Sequence, residues 1–154
     1  MIHALGILLC IPRLLAPGEA VEYVSLGAGN TGRAFDLETS ERIAEFKFIR
    51  WQGGAETIRQ NGLFKDFYLL AENPSRKRKY LYVVGTEHPL KFFNSGRALS
   101  SVLSQHPALQ ESLSRMYPGR FRKVREYYAF RKGEVVIQDI SNRVTGLTWE
   151  VEAD

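Results

Sequence analysis

Asp36, Glu45 and Lys47 are the residues of this chain whose types and spacing point to chemistry. Residues 33–39 and 42–49 read as two arms of a hairpin with its tight turn at Ser40-Glu41. Strand side chains alternate between faces. Phe35, Leu37, Ala44, Phe46 and Phe48 therefore share one face, and Asp36, Glu38, Glu45 and Lys47 the other. A turn at 40–41 sets position 36 opposite 45, and such cross-strand partners lie about 5 Å apart at Cβ. That spacing lets Asp36 and Glu45 share a divalent cation, with Lys47 projecting to the same side. Ile43 and Ile49 lie on this face too, so the polar group is set among apolar neighbours. Two facing carboxylates in such a setting repel and lose hydration unless a metal or substrate satisfies them. Glu38, nearer the turn, is expected in solvent.

These residues resemble the signature of the PD-(D/E)XK nuclease superfamily, the restriction-endonuclease-like proteins, over roughly residues 20–85. That signature is an acid on one strand, then acid-x-lysine on the next, here Asp36 and Glu45-Phe46-Lys47. Phe35 stands where proline usually precedes the first acid. The resemblance implies a nuclease dependent on Mg²⁺ or Mn²⁺. Asp36 and Glu45 would be the metal ligands, joined by a backbone carbonyl near Phe46. Lys47 would act on the attacking water or the phosphate. Some families carry Gln-x-x-x-Tyr on the helix after the acidic strand. Gln60-x-x-x-Phe64 is similar and makes Gln60 a fourth catalytic candidate, although Phe64 lacks the hydroxyl. Gln52 is comparable, and Glu19 or Glu22 could supply a further acid. The implied partners are nucleic acid, DNA ahead of RNA, and a second copy of the chain, with no membrane. The alternative is a non-catalytic nucleic-acid-binding or assembly module that retains the fold. A third reading is a protein-interaction domain whose polar sheet face is only a surface.

The elements that must position these residues read as mixed α/β, with an αβββαβ core over about residues 1–86 and an elaboration over 87–154. One domain of 154 residues is expected, long enough to bury a core. A strand over 21–26 precedes the acidic hairpin. A helix over 55–72 ends before Asn73-Pro74, and 80–84 reads as a buried central strand. Helices are expected over 95–105 and 107–117. Residues 124–130 and 134–140 are read as a hairpin around Lys132-Gly133, and 144–151 as a last strand. The apolar run 1–11 lacks a preceding Lys or Arg and is broken by Pro12-Arg13. It is expected to be a helix packed on the sheet rather than a signal peptide, and is too short to span a bilayer.

Composition narrows the function without naming it. The balance of 21 Lys+Arg against 17 Asp+Glu gives a net charge of +4, which permits nucleic-acid binding but does not demand it. A single cysteine, Cys10, excludes an internal disulfide and a cysteine-based zinc site, and makes a cytoplasmic setting the simplest expectation. Gly27-x-Gly29-x-x-Gly32 matches the dinucleotide fingerprint in letters only, because no helix N-terminus follows to hold a pyrophosphate. Arg76 to Lys79 form one basic run. Arg115, Arg120, Arg122, Lys123 and Arg125 form another, interleaved with Tyr117, Phe121, Tyr127 and Tyr128. Both could meet phosphates, and the aromatics could stack on bases. His3, His88 and His106 are scattered and suggest neither a zinc site nor a catalytic dyad.

Overall fold

The computed structural model describes residues 2–25, 35–48, 51 and 56–143. The glycine-rich turn 27–32, Gln52 and the strand expected over 144–151 lie outside the described residues. The elements run α1 (Ile2–Leu14), β1 (Val21–Val24), β2 (Leu37–Thr39), β3 (Arg42–Lys47), α2 (Glu56–Glu72) and β4 (Arg78–Val83). Then follow α3 (Glu87–Phe93), α4 (Leu99–Val102), α5 (Pro107–Met116), α6 (Val124–Arg131) and β5 (Val135–Asp139). The five strands form one mixed sheet in the order β1-β2-β3-β4-β5. The first two pairings are antiparallel, and β3–β4 and β4–β5 are parallel. The fold class is mixed α/β.

The β2–β3 register is the one the turn at 40–41 requires, with Leu37 opposite Ala44 and Glu38 opposite Ile43. Alternation then divides β3 between two cores. Ala44 and Phe46 pack with Leu37, Tyr82 and the α1 residues Ile7 and Cys10. Ile43 packs on the opposite face with Leu63, Phe64, Phe67 and Leu70 of α2. Phe35 is an exception to the expected face: it lies before β2 begins and packs on the α2 side. The spacing of the buried α2 residues, in pairs three or four apart, makes one continuous apolar stripe. Leu81, Tyr82 and Val83 of β4 are buried in succession, as a central strand covered on both faces must be.

α1 forms from the apolar N-terminal run, as expected, and reaches Leu14 with Pro12 inside its last turn. Its close approach to the sheet depends on Gly6. A Cβ there would fall 2.7 Å from the Phe48 ring, well inside van der Waals contact. No helix among the described residues is long and apolar enough to cross a membrane.

The expected hairpin over 124–140 is not formed. Residues 124–131 are helix α6, and β5 pairs parallel to β4 instead. Val124 and Tyr127, three apart, are both buried, which is a helical period. The Glu126 carboxylate caps the helix start by accepting from the N–H groups of Arg122 at 2.7 Å and Lys123 at 2.9 Å. β-branched and aromatic letters suggested a strand, but spacing and the cap decide for the helix. The helix α3 was not anticipated. The expected helix over 95–105 shortens to α4.

Candidate active site

The carboxylate cluster forms where the β2–β3 ladder stops. Asp36 sits one residue before β2, beyond the last paired residues Leu37 and Ala44. Past that point β3 has no strand partner on this side among the described residues, and the Asp36 carboxylate accepts from it instead. Its Oδ2 accepts the Phe46 N–H at 3.0 Å, and its Oδ1 lies 3.2 Å from His3 Nε2 on α1. An edge-to-face contact with Phe48, ring centroids 5.4 Å apart, steadies the His3 ring. Asp36 also shares a hydrogen bond with the Glu45 carboxyl, which the register sets opposite it across the hairpin.

A shared bond between two carboxyls requires a proton. Burial, and then the hydrogen bond and charge of Asp36, push Glu45 up to about 10, with Asp66 adding to the rise and Lys47 opposing it. Asp36 shifts the other way. Burial works against its charge, but hydrogen bonds from His3, Glu45 and the Phe46 N–H hold it below the usual carboxylate range. The pair therefore carries one proton and one negative charge at neutral pH.

Lys47 completes the group from the same face as Glu45. Its Nζ lies 2.5 Å from Asp66 Oδ2 on α2. Burial alone would lower the pKa of the amine, but Asp66, then Glu45 and Asp36, outweigh it and raise it. Lys47 is an ammonium. Asp66 Oδ2 and Asn61 Oδ1 are both buried without an aligned hydrogen bond among the described residues. The Lys47–Asp66 contact is therefore a charge pairing more than a directed bond.

Two cavities meet at Lys47. The larger, about 550 Å³, extends toward β4 and α3 past Trp51, Arg59, Val83 and His88. The smaller, about 380 Å³, is lined by Asn61, Lys65, Asp66, Gln105 and His106. Ile58 and Gly62 line both. A Cβ on Gly62 would stand 4.0 Å from Lys47 Nζ, an ordinary van der Waals contact, so Gly62 lies directly beside the ammonium.

Of the four residues singled out as catalytic, the structure brings Asp36, Glu45 and Lys47 together. Gln60 is engaged elsewhere: its Oε1 accepts from Arg97 Nη1 at 2.8 Å. Glu19 is not available as a further acid. It is held by Arg42 through Nε at 2.6 Å and Nη2 at 2.9 Å, and by the Thr39 hydroxyl at 2.6 Å, which keep its carboxyl down at about 2 although burial works the other way. Glu22 pairs with Lys77 at 2.8 Å, and Glu38 with the same ammonium at 3.1 Å. Sequence reasoning missed His3 and Asp66. Asp66 left a signal, an acid inside the buried stripe of α2 between Leu63 and Leu70; for His3 there was none.

The basic runs are also divided. Lys77 is spent on the two glutamates, and Lys79 is buried, donating to the Asn73 carbonyl at 2.6 Å. Arg76 and Arg78 remain exposed. In the second cluster, Tyr117, Tyr127 and Arg131 converge on the Glu72 carboxylate at 2.8–3.2 Å, while Arg120 lies 4.1 Å over the Phe130 ring. Most of these aromatics face inward and hold α6 on α2.

Fold and site define a mixed α/β protein with a half-buried carboxylate pair and a charged lysine opening on two cavities. No protein-family model matches the chain, and no curated protein or solved structure is significantly similar to it.

Proposed function

We propose that the chain is a metal-dependent nuclease of the PD-(D/E)XK type that hydrolyses phosphodiester bonds in nucleic acid, DNA ahead of RNA. The observation that carries this reading is the facing Asp36–Glu45 pair, half-buried beside the Lys47 ammonium. The order helix, three strands, helix, strand supports it, being the core order of that superfamily.

The donor set fits Mg²⁺ or Mn²⁺. It is made of oxygens, and the proton retained by Glu45 sits where two carboxylates lack positive charge to balance them. Among the described residues no group of three or more His, Cys, Asp or Glu side chains converges as a metal cage. Mg²⁺ does not need one, since it is usually held by one or two carboxylates together with waters and substrate phosphates. Asp36 and Glu45, with a backbone carbonyl near Phe46, would hold the cation. When bound, it would polarise the phosphate and lower the pKa of a water.

The chain's own residues do the rest. Asp36, fixed by His3 and the Phe46 N–H, keeps its carboxylate aimed at the pair. Glu45 would bind the cation as the carboxylate, with the proton it carries in the metal-free site released to solvent. Lys47, held charged by Asp66, faces the phosphoryl oxygens, where negative charge grows as water bonds to phosphorus and the leaving oxygen departs. An ammonium so held donates charge and hydrogen bonds; it does not abstract the proton from water.

A binding module that retains the fold is the second reading. The Lys47–Asp66 pairing favours it, because a lysine already neutralised meets a phosphate less readily. Calorimetric titration with Mn²⁺ tests the first reading. Wild type and Lys47→Ala should bind the ion and Asp36→Ala should not, since carboxylates coordinate a cation and an ammonium cannot. Absence of binding by the wild type would overturn the proposal.

A further inference from the structure

We propose that the larger cavity beside Lys47 takes one unpaired nucleobase of the strand whose phosphodiester lies at Asp36, Glu45 and Lys47. This rests on the nuclease reading of that site. At about 550 Å³ the cavity falls within the ~300–1,000 Å³ typical of ligand pockets. A nucleoside fits such a volume. A base pair still stacked in a duplex does not, and a base must leave its stack to enter.

The lining chemistry suits a base better than another small molecule. Trp51 and His88 form one aromatic wall, with ring centroids 6.1 Å apart and planes inclined by 34°. Rings so close leave no slot between them, so a base would stack on the outside of the wall. Leu63 and Val83, both buried, give an apolar floor. Ile58 stands at the mouth with 73% of its surface exposed, an apolar side chain that a stacked base would cover. Lys47 and Arg59 place positive charge along the lining, where the flanking phosphates must pass. Glu87, exposed at the rim, is the acceptor in the set. A carboxylate there accepts from the exocyclic amino group of cytosine or adenine, which thymine lacks. The pocket thus selects single-stranded or frayed substrates, with cytosine and adenine preferred over thymine.

The test measures binding of dye-labelled ten-nucleotide strands by fluorescence anisotropy in EDTA, so that nothing is cut. The strands are oligo-dC, oligo-dA, oligo-dT, an abasic ten-mer of the same backbone, and a ten-base-pair duplex. Oligo-dC and oligo-dA should bind the wild type roughly 5- to 150-fold more tightly than the abasic strand, the range expected for one base–aromatic stack. Trp51→Ala should lose that advantage and Trp51→Phe should keep most of it. Glu87→Gln should narrow the margin of oligo-dC over oligo-dT. Equal affinity of abasic and base-bearing strands for the wild type would overturn the proposal, with no variant needed. So would a duplex that binds as tightly as the single strands. Base-dependent binding without cleavage under any divalent cation would leave the pocket standing and remove the nuclease reading. Cleavage with base-independent binding would do the reverse.

Discussion

Replacing Glu45 by glutamine should remove a pH-dependent weakness from the metal-free protein. Glu45 in the fold titrates near 10, against an ordinary value of 4.5. The folded state thus holds a proton that the unfolded chain has released throughout that window. A group raised in this way contributes stability that is whole below its unfolded pKa and is lost as pH rises toward its folded pKa. Each pH unit inside the window costs about 1.4 kcal/mol, so pH 5 to 8 has a ceiling of about 4 kcal/mol. Water drawn toward an ionised Glu45 lowers that figure, and about 2 kcal/mol is the working value. For a chain of this size that corresponds to about 4–8 °C in Tm. Asp36 shifts downward from 3.8, so its own window lies below this range. The assay is thermal unfolding of wild type and Glu45→Gln in EDTA at pH 5, 6, 7 and 8. The wild-type Tm should fall relative to the variant by about 4–8 °C across the series, and other titrating groups cancel in the difference. Saturating Mg²⁺ should recover the wild type alone, by about 2.7 kcal/mol at a hundred times its Kd. Parallel Tm curves for the two proteins in EDTA would refute the shared-proton account.

Gly6→Ala should destabilise the protein by about 1–3 kcal/mol in urea, because its Cβ would meet the Phe48 ring and push α1 outward. A gain in stability, as helix propensity alone would give, would show that α1 sits farther from the sheet. Glu72→Ala should cost about 3 kcal/mol by the same measurement, since it leaves the buried Tyr127 hydroxyl without its acceptor and takes from Arg131 one of its two carboxylate partners, Glu134 being the other. A loss below about 1 kcal/mol would mean that water replaces the carboxylate.

The acidic hairpin was legible because both of its rules are local. Alternation along residues 42–47 and a two-residue turn set the register, and the Asp36–Glu45 pairing followed from it. The buried strand β4 and helix α2 were legible through their apolar runs and the Asn73-Pro74 stop. What escaped depends on contacts between distant segments. His3 reaches Asp36 only because Gly6 lets α1 settle on Phe48. Arg97 claims Gln60 from 37 residues away, and Lys77 is drawn to Glu22 across 55. The basic run therefore looked freer in the sequence than it is in the fold. Residues 124–131 were misread for a different reason: Val124, Tyr127 and Tyr128 suit a strand by type but a helix by spacing, and the cap at Glu126 settles the choice.

Single-turnover cleavage of single- and double-stranded DNA, titrated with Mg²⁺ and with Mn²⁺, tests the central claim most directly. Wild type should cut only when the metal is present, and Lys47→Ala should cut about 10²–10³ times more slowly, as expected for losing a group that stabilises transition-state charge. Lys47→Arg should not restore the rate, because a planar guanidinium cannot replace a compact ammonium at that point. Cleavage by Lys47→Ala at the wild-type rate, or none by the wild type with either metal, would contradict the account.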